Sequence, residues 1–178
     1  YWPLAYFPDG SIKWSGLAIA VAPAMDGPLS VAIGASPKPA VAISVKESRD
    51  AVDISTGPMT CRIARRGANL IDSLAVDGRE VGRDGRLVVL REDRSELASK
   101  GVTREEPFAS RIDKVTAEQA GPIRAVVKIE GMHAGGGVDR AWLPFCGRRD
   151  WTAWGNLIRV VHSFVFDGDA ATDFIKGR

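Results

Sequence analysis

The chain has 178 residues, enough for one large domain or two small ones, and its 45% apolar content suits a folded protein with a sizeable core. The formal net charge of +2 comes from interspersed acids and bases without a basic stripe, which argues against nucleic acid as a partner. No apolar run reaches membrane-spanning length, so a membrane is not an expected partner either. Cys61 and Cys146 stand far apart without metal-ligand spacing and read as free or buried thiols that leave the compartment open.

In chain order, Pro8-Asp9-Gly10 is a turn tripeptide: Pro presets φ, Asp bonds the local backbone and Gly takes positive φ. Residues 12–21 read as a strand with Leu17, Ile19 and Val21 on one side and Trp14 followed by small residues on the other. Further strands are expected at 29–35 and 40–46, separated by Ser36-Pro37-Lys38-Pro39. The charged interruption Glu47-Ser48-Arg49-Asp50 marks an expected boundary, with residues 1–48 before it and 49–178 after it.

Short strands follow at 52–56 and 59–64 around Gly57-Pro58, then at 70–76, where Asp77-Gly78 is the strongest hairpin signal in the chain. Residues 87–90 are apolar. Residues 91–106 are polar and read as an exposed loop, with a short helix near 92–100 as the lesser alternative. A weak strand at 112–118 and the turn Gly121-Pro122 lead to the cleanest alternation in the chain, residues 123–130. Gly135-Gly136-Gly137 reads as a flexible loop.

Residues 157–166 are β-branched and aromatic on both faces, as expected of a central strand covered on both sides. Asp167-Gly168-Asp169 then turns the chain, and a helix start is expected after Asp169. The chain opens on Tyr1 and closes as a new element should begin, so a piece of a larger protein is expected. The sum of these signals is an all-β, antiparallel protein, a sandwich or barrel.

Candidate chemistry is sparse. His133 ends a strand and His162 lies on a largely apolar strand face, where a buried, hydrogen-bonded histidine is the bland alternative. Neither has a third ligand at metal spacing, so no metal and no cofactor are expected. Asp167, Asp169 and Asp173 lack the density of a calcium loop and read as turn and capping residues. Trp14 and Trp142 are expected in the core, Trp151 and Trp154 at the surface. Arg159, His133 and His162 are the candidate substrate-binding residues, and no residue can be assigned as catalytic. Arg159 and His162 project from opposite faces of one strand, which opposes their lining one cleft.

Three stretches together resemble the exo-acting rhamnogalacturonan lyase-like family. They are Tyr6-Phe7-Pro8-Asp9-Gly10-Ser11-Ile12-Lys13-Trp14, then Gly121-Pro122-Ile123-Arg124-Ala125-Val126-Val127-Lys128-Ile129-Glu130-Gly131, then Ile158-Arg159-Val160-Val161-His162-Ser163-Phe164-Val165-Phe166-Asp167-Gly168-Asp169 running into Asp173-Phe174-Ile175-Lys176-Gly177. The resemblance implies the end of an N-terminal RIFT-type barrel, then a central β-sandwich, with a C-terminal α/α toroid beyond Arg178. It also implies cleavage of the rhamnogalacturonan backbone of pectin by β-elimination, with a polysaccharide or oligosaccharide as partner of the full-length protein. The chemistry is expected in the toroid and the chain alone is expected to be inactive. The alternative is a stand-alone carbohydrate-binding sandwich.

One segment departs from the family's pattern. After Trp142-Leu143-Pro144-Phe145 an apolar alternating strand is expected, but residues 146–156 carry Gly147, Arg148, Arg149, Asp150 and Gly155. A compensated slip of reading frame in the source gene would produce such a segment, and resequencing tests it. The segment is expected to be irregular and mobile.

Overall fold

The computed structural model describes residues 1–19, 27–28, 30, 34, 42–135 and 140–176. β1 (Trp2–Tyr6) and β2 (Ile12–Gly16) pair as an antiparallel hairpin across Pro8-Asp9-Gly10, where Asp9 accepts the Ser11 backbone N–H at 2.9 Å and Gly10 takes φ +84. β3 (Ser44–Glu47), β4 (Ala51–Ser55), β5 (Met59–Ala64), β6 (Ile71–Val76) and β7 (Arg79–Gly85) form a five-stranded sheet in chain order. β8 (Val88–Asp93), the short helix α1 (Leu97–Lys100), β9 (Arg104–Ala120), β10 (Arg124–Gly135), β11 (Ala141–Thr152), β12 (Arg159–Phe164) and β13 (Asp173–Ile175) follow. Their strands make a six-stranded sheet in the order β12-β11-β10-β9-β8-β13.

Period-two alternation makes this a sandwich. Val52, Ile54, Met59, Cys61 and Ile63 point from the five-stranded sheet into one buried cluster with Val115, Ala125, Val127, Ile129, Phe145 and Trp151 of the six-stranded sheet. A second, smaller cluster joins Phe108, Trp142 and Leu143. The Asp77-Gly78 hairpin takes positive φ at both residues, 49 and 76, as a two-residue turn between twisted strands requires. The protein is therefore all-β and antiparallel, as the alternation predicts.

Gly131 is where β10 tolerates no side chain. A Cβ there would run into the Arg111 carbonyl oxygen and sit 2.9 Å from the Phe145 ring. Gly131→Ala is therefore expected to cost about 1–3 kcal/mol in a urea titration, because a packed core absorbs an added methyl only by moving backbone.

Several expectations need correction. β2 stops at Gly16, leaving Leu17 and Ile19 exposed, and residues 20–21 lie outside the described residues, as does most of 29–35. The strand expected at 40–46 begins at Ser44 and pairs with β4, which sets it with the sandwich rather than with the segment before it. Residues 91–106 are not a loop throughout. β8 runs on to Asp93, α1 occupies Leu97–Lys100, and β9 starts at Arg104. The polar residues at 91–93 and 104–106 stand opposite one another on β8 and β9, and Arg91 bonds Glu106 directly across from it at 2.7 Å.

Among the described residues no helix follows Asp169; residues 170–172 turn into β13. Residues 136–139 of the glycine loop lie outside the described residues. Trp14 is exposed and Trp151 buried, the reverse of expectation, because the β1–β2 sheet carries no second layer among the described residues while Trp151 faces the sandwich core.

The largest corrections concern the last two long strands. Of residues 146–156, expected to be irregular, 146–152 complete β11 in unbroken register against β10, and 146–150 also pair with β12. Outward charges there find partners: Arg148 holds Glu118 at 2.8 Å, and Asp150 pairs with Arg124. β12, expected to be central, is an edge strand with all six residues exposed.

Candidate functional site

Directly opposed residues in an antiparallel pair share a face. Phe164 opposes Phe145, His162 opposes Gly147 and Val160 opposes Arg149, so these side chains of β12 and β11 lie on the core side of the sheet. There the Phe145 ring sits between the two histidines, its centroid 5.2 Å from His133 and 5.6 Å from His162. His162 is also 6.2 Å from the Phe164 ring. The structure thus brings His133 and His162 to one neighbourhood. Arg159 opposes Asp150 on the other face, and its side chain makes no hydrogen bond or ion pair among the described residues.

The two histidines differ in availability. His133 is buried on β10, and its Nδ1 lies 2.8 Å from the Leu143 carbonyl. A carbonyl only accepts, so Nδ1 carries the proton and donates. Burial holds the His133 pKa below the ordinary histidine value, so the ring is neutral at pH 7. His162 is exposed; desolvation by its neighbours, then the Arg149 charge, lower its pKa as well. His162 is the open member of the pair, and His133 serves the fold.

What His133 holds is a bulge. β11 slips register between the pairs Phe145↔Gly131 and Trp142↔His133, and Leu143 adopts φ +49. Its N–H donates to Asp167 at 2.7 Å while its carbonyl accepts from His133. Asp167 thereby ties the segment after β12 to β11.

Asp173 ties the same segment to the opposite edge. Its carboxylate is buried and accepts from Arg91 Nε at 2.5 Å, Arg140 Nη1 at 3.0 Å, Arg140 Nη2 at 2.5 Å and the Asp169 N–H at 2.8 Å. The Arg140 bonds first, then Arg91 and the Asp169 amide, hold its pKa below the carboxylate range against the effect of burial. The three aspartates are structural, and the described residues contain no group of three or more potential metal ligands. Nothing local announces this network, since Arg91 and Arg140 lie 82 and 33 residues before Asp173.

Two further features complete the picture. Arg149 is buried, and its Nε and Nη1 have no hydrogen-bond partner among the described residues. Its guanidinium folds over Gly147, where a Cβ would collide with Nη1, and burial lowers its pKa. The thiol of neighbouring Cys61, also in the core, is pushed up to about 12 by burial, so it is not an evident nucleophile; Cys146 is half-buried and free. On the outer face of the five-stranded sheet, Ser44, Lys46, Asp53, Thr60, Arg62 and Ser73 line an open depression of about 510 Å³.

Comparison with known proteins agrees with this architecture. Residues 43–178 match the PcRGLX-like protein central beta sandwich domain, and residues 1–34 match the PcRGLX-like N-terminal RIFT barrel domain. The chain is 37% identical over 175 residues to YetA of Bacillus subtilis (strain 168), described as uncharacterized; the match covers 98% of this chain but 20% of that protein. The chain thus spans about a fifth of that relative's length. With the barrel match ahead of a two-layer sandwich, the chain belongs to the PcRGLX-like family and contains its central β-sandwich domain.

Proposed function

We propose that these residues are the β-domain portion of a polysaccharide lyase-like protein that cleaves rhamnogalacturonan-type pectin by β-elimination, with the chemistry carried outside this chain. β-Elimination on a uronide needs a base for the proton α to the carboxylate, charge stabilisation for the dianion, and an acid for the leaving oxygen. The observation that supports the reading is how the acids and bases of the described sandwich are engaged. His133 serves the Leu143 bulge, Asp150 pairs with Arg124, and Asp173 is enclosed by two arginines. Only His162, flanked by Phe145 and Phe164, remains open on that side, and a single imidazole does not supply all three functions. The sandwich then frames substrate and supports the domain that acts on it.

The substrate class is tested with the full-length gene product on rhamnogalacturonan and on homogalacturonan. Unsaturated disaccharides from the first, identified by mass spectrometry, are the expected result. Products from homogalacturonan alone would reassign the polymer. His162→Ala in the full-length protein is expected to leave kcat within about tenfold of the parent, because a single imidazole does not carry the chemistry. A fall in kcat of a hundredfold or more, on the order of a lost acid or base, would place it in the chemistry.

A second reading, a stand-alone carbohydrate-binding sandwich, is favoured by the polar depression on the five-stranded sheet, whose Ser, Thr, Asp, Lys and Arg side chains suit sugar hydroxyls. Coding sequence beyond Arg178 separates the two. Several hundred helical, aromatic-rich residues support the lyase reading, and an immediate stop supports the binding module.

A further inference from the structure

β12 is uncovered on both faces. On the core side Val160 is 54% exposed and Phe164 51%; on the outer side Val161 is 39% exposed, and Val165, just past the strand, 63%. Leu157 and Phe166 extend the apolar run at either end. An exposed edge strand of this composition, whose one fixed charge is Arg159 at its start, is an aggregation hazard that proteins normally cover.

The strand is also held in place. It pairs with β11 along its whole length, and the segment leaving it is fixed by Asp167 to Leu143 and by Asp173 to Arg91 and Arg140. The apolar face is therefore preorganised, which lowers the cost of docking.

We propose that β12 and its flanks are the seat of the polypeptide that follows Arg178 in the full-length protein, a body that laps over both faces of the strand. The inference rests on the reading that these residues belong to a longer lyase-like protein. Its support is the comparison with YetA, of which this chain matches a fifth, so that a relative of this kind carries a large further mass to place. The pattern of exposure disfavours a second copy of the chain. Pairing two β12 edges would satisfy backbone groups but leave Val160 and Phe164 above, and Val161 below, still in water. The occupant must offer apolar surface to both sides and few charges, since after Arg159 at the start of the strand only His162 ionises.

The test uses the full-length gene product without substrate. Val160→Cys places a thiol on the core side, Val161→Cys one on the outer side, and Thr60→Cys a reference thiol on the exposed face of β5. Alkylation by iodoacetamide is followed peptide by peptide with mass spectrometry. Positions 160 and 161 are both expected to react at least about tenfold more slowly than position 60. The inference is overturned by reaction at either position as fast as at 60. Protection that disappears on dilution, which would identify a second copy, also overturns it. So does protection that needs added galacturonide, which would identify a sugar groove, or a stop codon directly after Arg178. Activity plays no part in the readout, so protection in an inactive protein would keep the docking surface and remove the lyase reading.

Discussion

Asp173→Asn is expected to lower the unfolding free energy by about 3 kcal/mol, because breaking a buried ion pair leaves the partner charges uncompensated. The Asp173 side chain is 1% exposed and Arg91 11%, so solvent replaces little of what is lost. The effect is also global. Asp173 joins β13 to β8, and through Asp169 and Arg140 it fixes the crossing from β12. Its pKa is held below the usual carboxylate range, chiefly by Arg140. A depressed folded pKa contributes stability that is complete above the unfolded value, about pH 4, and is lost as pH falls from there through the folded pKa. Urea midpoints measured from pH 7 down to pH 2 should therefore fall less steeply for the Asn variant than for the parent. Parallel profiles would mean that Asp173 is not the group that couples folding to acid.

Arg149→Met is expected to do the opposite and raise stability by about 1–3 kcal/mol. A buried charge is costly unless paired, and replacing buried charges with apolar side chains of similar volume is often stabilising. Arg149 is buried, has Nε and Nη1 unpaired among the described residues, and sits beside the buried thiol of Cys61. Methionine keeps the length of the side chain and fills irregular space. A rise in the urea midpoint with an unchanged denaturant slope is the predicted result, and a fall would show that the guanidinium has a partner. This is also where the chain departs from the apolar pattern its family resemblance implies. The fold accepts the segment as a strand, with Arg148 and Asp150 paired on the outside, while the inward arginine carries the cost.

Local signals in the sequence reached as far as local physics does. The alternation at 123–130 and the Asp77-Gly78 turn depend on neighbours one to three residues away, and both are seen in β10 and in the β6–β7 hairpin. Position within a sheet is different. Alternation of apolar residues on both sides of 157–166 is the same for a central strand and for an edge strand awaiting cover, so β12 was legible as a strand but not as an edge. Composition misled at 146–152 for a related reason. Arg148 and Asp150 look unfit for a sheet until Glu118 and Arg124 stand beside them. Of the candidate residues, His133 and His162 do meet around Phe145, which no spacing foretells, while Arg159 lies on the other face as its parity requires.

The proposed function has this chain frame substrate while another part of the full-length protein performs the elimination. It is tested by incubating the 178-residue chain and the full-length protein separately with rhamnogalacturonan and following the ultraviolet absorbance of unsaturated uronide ends. Absorbance that rises with the full-length protein and stays flat with the chain alone is the predicted result. A rise with the chain alone would contradict it.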